Sequence, residues 1–356
     1  YFMNIGGKEV TQDGPVYFIA DIGANHDGDL KRAKNLIKLA AESGADAVKF
    51  QHFKAETIVS EKGFEDIKDY LPIHQRSWKK SVFETYKEAS INTDWNKNLK
   101  EYCDEFNVKF MTSPYDLELA RDINPLLDTF KIGSGDISWM EIVEELCKYN
   151  KNLIVATGAS SIEDVRRIYQ KITNYGNKLC IMQCNTNYTG NSENLKYINL
   201  NVLKQYQKEF PKAILGLSDH THGCTTVIGA VTLGARIIEK HFTDDNNRDG
   251  PDHKFAMNPQ SWADMVSESR KILLSLGDGI KKIEENELLT YIAQRRSIYA
   301  KNDINADVKI RKDDIIALRP NQKESYPVED LESLIGKTLI TSIKKGHCIK
   351  LANVRK

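Results

Sequence analysis

No run of apolar residues in this chain approaches the roughly 18 needed to cross a bilayer as a helix, so a helical membrane span is excluded. Cysteine is sparse: six residues, at positions 103, 147, 180, 184, 224 and 348, with no CxxC pair. So few, scattered over 356 residues, do not make a disulfide framework. They predict a reducing, cytoplasmic setting in which the thiols are buried as small hydrophobes. Neither sign of charge is in excess, with 50 basic against 50 acidic residues, which gives no reason to expect a nucleic-acid partner. A secretory pattern is missing from the first residues, and Tyr1 and Phe2, ahead of Met3, are expected to lie outside the fold. No GxGxxG follows the first apolar strand, which removes the usual mark of a dinucleotide-binding sheet.

What the sequence does have is alternation. Short apolar, β-branched runs occur at Val16–Ile22, Ala47–Phe50, Lys109–Met111, Thr129–Ile132, Leu153–Ala156, Lys178–Met182, Ala213–Leu217 and Ile237–Glu239. Amphipathic stretches such as Leu30–Ala41, Ile162–Ile172 and Asn201–Phe210 separate them, with apolar residues at helical spacing. Eight strands in strict alternation predict an α/β fold of the (β/α)8 TIM-barrel type over residues 1–279. The rival, an open doubly wound sheet, fits eight units less well. A charged stretch from 280 to 296 reads as a linker. Residues 297–356 read as a small α+β domain, near the lower size limit for independent stability.

Polar residues gather where the strands end. Asp21, Asn25 and His26 follow the first, Lys49 and Gln51 close the second, and Ser113 follows the third. Lys131, Ser134 and Asp136 end the fourth, and Thr157 the fifth. Asn185 and Tyr188 follow the sixth, Ser218, Asp219 and His220 the seventh, and His241 closes the eighth. In a barrel these C-terminal ends converge on one face, where active sites are built.

Imidazoles on neighbouring strand ends, His220 and His241, suit a divalent metal and leave positions open for water and substrate. The plainer alternative is a pair of hydrogen-bonded histidines at a barrel mouth; the nearby Asp219 and Asp252 favour the metal. His222 and His253 sit further into their loops and are assigned to the rim. Lys49 and Lys131 should point into the mouth, where ammonium groups are costly unless they meet anions. With Ser113, Ser134, Ser218 and the glycines of Lys131-Ile-Gly-Ser-Gly-Asp136 they describe a pocket for a phosphate plus a carboxylate. Two alternatives remain open: a structural network pairing the lysines with Asp21 and Asp136, and an aldolase using one lysine as a Schiff base.

Five motifs in order carry a resemblance. They are Ala20-Asp-Ile-Gly-Ala-Asn-His-Asp-Gly28, Ala45-Asp-Ala-Val-Lys-Phe-Gln51, Lys131-Ile-Gly-Ser-Gly-Asp136, Gly216-Leu-Ser-Asp-His220, and Glu239-Lys-His-Phe-Thr-Asp244 followed by Gly250-Pro-Asp252. The chain resembles the N-acetylneuraminate (sialic acid) synthase family. Leu318-Arg-Pro320 and Leu334-Ile-Gly-Lys337 resemble that family's antifreeze-like (SAF) domain. Three features depart from the pattern: Asp21 stands where the family has Glu, Thr189 where it has proline, and the stretch 52–94, where part of the sugar pocket is expected, matches poorly.

The resemblance implies condensation of phosphoenolpyruvate with an N-acylated hexosamine, either N-acetylmannosamine or a diacetamido-trideoxyhexose. It also implies a divalent metal, manganese or magnesium, held by His220 and His241, and a domain-swapped homodimer. Carried over to this sequence, Lys49, Ser113, Lys131, Ser134, Thr186 and Ser218 hold phosphoenolpyruvate. Gln51, Tyr188 and Asp252 face the sugar, and Arg319 reaches it from a second copy. Asp21 or Asp136 manages protons. Another phosphoenolpyruvate–sugar condensation, a Schiff-base aldolase and a non-catalytic sugar-binding protein are the competing expectations.

Overall fold

The computed structural model describes residues 1–355 and divides into two compact units, Tyr1–Gly277 and Asp278–Lys356. The first begins with a hairpin, β1 (Phe2–Ile5) and β2 (Lys8–Thr11). Eight parallel strands follow: β3 (Tyr17–Asp21), β4 (Ala47–His52), β5 (Lys109–Pro114), β6 (Thr129–Ile132), β7 (Asn152–Ala156), β8 (Leu179–Cys184), β9 (Ile214–Asp219) and β10 (Ile237–His241). They pair in chain order, and β10 closes on β3, giving the barrel that the alternation predicts.

Period-two alternation along each strand sends side chains to two different cores. Ile19, Ala47, Met111, Ile154, Cys180, Met182, Ile214 and Ile237 fill the interior. Their neighbours, such as Phe18, Val48, Phe110, Phe130 and Ile238, face the surrounding helices. Helix Leu30–Glu42 is typical: Ala33, Leu36, Ile37 and Ala40 recur at helical spacing and are buried. Asp29 caps it by accepting from the Lys31 and Arg32 amides, a contact whose loss costs about 1 kcal/mol.

The hairpin was not anticipated. Met3, Ile5 and Val10 join the interior core and stop the barrel's N-terminal end. Tyr1 and Phe2, expected to lie outside the fold, belong to it: Phe2 pairs with Thr11, and the Tyr1 hydroxyl accepts from the Leu179 amide at 2.6 Å. Four-residue strands in a glycine-turned hairpin alternate over too short a span to be distinctive, which is why the pattern passed unnoticed.

In the second unit, β11 (Ser297–Ala300) pairs antiparallel with β12 (Ile315–Leu318) around a core of its own that includes Ile298, Ile310, Leu334, Leu339 and Ile349. Within the stretch read as a charged linker, helix covers Leu288–Gln294 after a single turn at Glu285–Glu287. No helix among the described residues is long and apolar enough to cross a membrane.

Candidate functional site

The inward positions nearest the C-terminal ends of the strands carry charge where the lower layers carry hydrocarbon. Asp21, Lys49, Gln51, Ser113, Lys131, Ser218, Glu239 and His241 share the parity of the interior residues below them. The Lys49 ammonium donates to Asp21 Oδ2 at 2.8 Å and to Ser113 Oγ at 3.3 Å. Gln51 donates to the same Asp21 oxygen at 3.0 Å. Burial alone would raise the Asp21 carboxyl, but Lys49 and His241 outweigh it and hold the group far below the ordinary carboxylate range. Burial likewise opposes the Lys49 charge, and Asp21 and Glu239 outweigh it, so this lysine is raised and stays protonated.

Lys131 does not pair with Asp136. Its Nζ donates to Glu239 Oε1 at 2.6 Å, and both side chains are buried. Glu239 lies on β10 two residues before His241, so both point inward, yet it was read only as part of a motif. Strand parity was the signal that could have found it. Ser218 Oγ donates to the same carboxylate at 3.4 Å, while Glu239 Oε2 is buried with no partner. Two ammonium groups and two carboxylates thus stand alternately, buried in the mouth, with one acceptor left over.

Ser134, Gly158, Cys184 and Thr186 form the adjoining wall. The Gly158 amide donates to Ser134 Oγ at 2.9 Å. A Cβ on Gly158 would stand 2.3 Å from Thr186 Cγ2, so this close approach requires glycine. Asp136 differs from the other carboxylates: burial raises it to about 6, and no ion pair opposes the shift.

His220 and His241 meet at the mouth with ring centroids 5.6 Å apart. His220 Nδ1 lies 2.9 Å from the Asn185 carbonyl, which can only accept; Nδ1 therefore carries the proton and Nε2 keeps its lone pair. Burial, then His241, depress His220 to about 4, so it is a neutral imidazole near pH 7. His241 Nε2 is 3.6 Å from Asp21, and its buried Nδ1 has no hydrogen-bond partner. An orphaned ring nitrogen beside a free imidazole lone pair fits a divalent cation. No third His, Cys, Asp or Glu completes a ligand cluster among the described residues, so water and substrate oxygens would fill the remaining positions.

The other residues singled out in the sequence divide between site and scaffold. Tyr188 packs at a tilt against His220, with ring centroids 4.3 Å apart, and Asp252 accepts from the Ala24 amide at 3.0 Å; both face the cavity. Asp219 faces the helices instead, where Lys240, Thr221 and Thr226 donate to it. Thr157 is also scaffold, bonded to the Met182 carbonyl and the Tyr206 hydroxyl. His253, assigned to the rim, is wholly buried between Thr243 Oγ1 and Asp27, because the loop bearing it folds inward. Arg32 binds Asp244 and the Asn25 carbonyl, which fixes the loop after β3 against the one after β10. Arg319 is exposed on the second unit.

A cavity of about 340 Å³ opens from this mouth. Gln51, Ser134, Asp136, Tyr188, His241 and Asp252 line its inner part. Phe53, Ile58, His74, Gln75, Trp78, Thr85 and Tyr86 line much of the rest, and these seven lie between β4 and β5. Sequence reasoning named none of them, because that segment carries no recognisable motif.

Comparison with known proteins adds independent findings. A sequence model of the NeuB family matches residues 36–281, and one of the SAF domain matches residues 295–355. The chain is 33% identical to an N,N'-diacetyllegionaminic acid synthase of Campylobacter jejuni, over 93% of this chain and 98% of that protein. It is 30% identical to the N-acetylneuraminate-9-phosphate synthase of Homo sapiens, over 96% and 94%. Among solved structures, an N-acetylneuraminic acid (sialic acid) synthetase from Leptospira borgpetersenii in complex with citrate superposes with a TM-score of 0.71. The two are 25% identical, over 82% of this chain and 95% of that one.

Proposed function

The chain belongs to the NeuB family, and from that premise we propose that it condenses phosphoenolpyruvate with an N-acylated hexosamine. The product is a nine-carbon 2-keto-3-deoxy sugar acid, and phosphate is released. The observation that carries this reading is the alternating set of Lys49, Asp21, Lys131 and Glu239 beside His220 and His241 in one barrel mouth.

Lys49 and Lys131 hold the substrate's phosphate and carboxylate, helped by Ser113, Ser134, Thr186 and Ser218. Positioning of this kind supplies a large part of the rate. A divalent cation, manganese or magnesium, held by His220 and His241, would polarise the aldehyde oxygen of the open-chain sugar. Carbon three of phosphoenolpyruvate then bonds to the aldehyde carbon, whose oxygen becomes a hydroxyl. Water adds to carbon two, and the bond from that carbon to the phosphate oxygen breaks, leaving the ketone; the two protons of the water end on the new hydroxyl and on the departing phosphate. Asp21, tied to Lys49 and Gln51, stays ionised and balances positive charge developing at carbon two. Asp136, free of any ion pair and raised to about 6, takes the proton from the attacking water. Gln51, Tyr188 and Asp252 contact the sugar.

A Schiff-base aldolase is the weaker reading, since an imine needs a free amine and Asp21 and Glu239 hold Lys49 charged. Two copies associating so that Arg319 of one serves the sugar pocket of the other, in a cytoplasmic enzyme whose six cysteines are all free, complete the proposal. The test is direct. Phosphoenolpyruvate, an amino sugar and manganese should yield phosphate and a sugar acid of the summed mass. Chelation should abolish turnover, and borohydride should trap nothing; a borohydride-trapped lysine in a chelator-resistant enzyme contradicts the reading.

A further inference from the structure

The segment between β4 and β5 carries the proposed reaction one step further, to the kind of sugar. Resting on that reading, we propose that the cavity selects an uncharged amino sugar whose end remote from the aldehyde is deoxygenated and bears a second acylamino group, with His74, Trp78 and Tyr86 making the selection. A sugar phosphate is excluded.

Charge is the first argument. No lysine or arginine of the same chain lines the cavity, so Arg319 of a second copy is the one cation the proposed association brings to it. Of the cations nearby in sequence, Arg76 donates to the Leu71 carbonyl at 2.5 Å, Lys54 to Glu118 at 2.8 Å, Lys79 to Asp249 at 3.2 Å and Lys80 to Glu88, while Lys87 is exposed to solvent. The ionisable groups that face the cavity are Asp136, Asp252, His74 and His241, with the hydroxyls of Tyr86, Tyr115 and Tyr188. Burial holds His74 below the ordinary imidazole range, so it brings no positive charge near pH 7. A phosphate ester of nearly two negative charges would meet two carboxylates, with only the single guanidinium of Arg319 from a second copy against them.

Surface chemistry is the second. Phe53 and Tyr86 lie 5.3 Å apart, Trp78 and Tyr86 6.4 Å, and His74 and Trp78 6.0 Å, forming a continuous aromatic wall. His74 also packs at a tilt against Tyr188, with ring centroids 5.0 Å apart, which joins this wall to His220. A string of sugar hydroxyls laid against the rings would lose water without replacing each hydrogen bond. Methyl groups lose nothing there, and the planar amide of an acylamino group stacks on such rings. Gln75 and Thr85, on the same wall, supply the donor and acceptor one acylamino group needs.

The experiment compares kcat/KM for N-acetylmannosamine, its 6-phosphate and a diacetamido-trideoxyhexose, with phosphoenolpyruvate and manganese. The diacetamido sugar should exceed N-acetylmannosamine by about 30-fold, and the phosphate ester should fall about 100-fold below it. Trp78→Ala should raise KM for the diacetamido sugar by about 10- to 100-fold while KM for phosphoenolpyruvate stays unchanged. Gln75→Lys, which puts a cation on the wall, should raise turnover of the phosphate ester by about 10-fold. Preference for the phosphate ester or for N-acetylmannosamine overturns the inference and leaves the condensation standing. Phosphate release with none of the three sugars overturns the condensation, and the inference falls with it.

Discussion

Replacing Lys131 by Met keeps most of the side chain's bulk and removes its charge, and the structure separates two consequences. The first is stability. Glu239 would keep only the Ser218 hydroxyl at 3.4 Å and the Lys49 ammonium at 3.9 Å as partners for Oε1, and its Oε2 has none. Breaking a buried ion pair from one side costs about 3–5 kcal/mol, and the remaining Lys49 keeps the cost near the lower end. For a unit of this size that is on the order of 10 °C in Tm. The second is binding. Losing one charge-assisted hydrogen bond to a bound anion is worth about 1.5–3 kcal/mol, or roughly 10- to 150-fold in Kd for phosphoenolpyruvate. The double variant Lys131→Met/Glu239→Gln removes the stranded charge, so it should regain most of the lost stability and none of the affinity. Denaturation curves and calorimetric titration with phosphoenolpyruvate read the two effects separately. A single variant as stable as wild type, or one that loses affinity for the sugar alone, would refute the assignment of this pair to the phosphoenolpyruvate site.

Other outcomes follow from the same geometry. His220→Ala or His241→Ala should leave the barrel folded by circular dichroism, weaken manganese binding by about 10- to 100-fold in calorimetry, and cut activity by at least roughly 100-fold. Near-normal activity after dialysis against chelator would remove the metal assignment. Asp136→Asn should abolish the limb of the kcat–pH profile that rises through about pH 6. Because burial raises this carboxyl above its unfolded value, ionisation destabilises the fold as pH climbs from about 4 to 6 and stays unfavourable above. The Asn variant should therefore be more stable than wild type by about 3 kcal/mol at pH 8 and no different at pH 3. Mixing Arg319→Ala chains with Asp136→Asn chains under subunit exchange should restore about a quarter of wild-type activity; heterodimers without activity would refute the shared site.

The barrel was legible because each of its strands is an apolar run ending in a polar cluster, a pattern that survives without tertiary information. Lys49, Lys131, His220 and His241 were legible for a related reason: groups so costly to bury stand out at strand ends. Glu239 was harder to see, since a glutamate beside Lys240 reads as surface charge until strand parity turns one inward and the other outward. Asp21 and Asp136 are indistinguishable as letters; only the environment, ion-paired for one and merely buried for the other, separates them. The aromatic wall of the cavity was illegible. Short helices such as Ala55–Ile58 and Ile73–Arg76 have no periodicity to read, and Phe53, Trp78 and Tyr86 meet only through the fold.

The mechanism turns on which bond breaks when the two substrates join. Phosphoenolpyruvate labelled with oxygen-18 at the bridging enol oxygen, incubated with the protein, manganese and the diacetamido sugar, gives the answer by mass spectrometry. Addition of water at carbon two followed by carbon–oxygen cleavage predicts that all of the label leaves in phosphate, one phosphate per sugar acid formed. Label retained in the sugar acid, or phosphate released with pyruvate and no sugar acid, would contradict it.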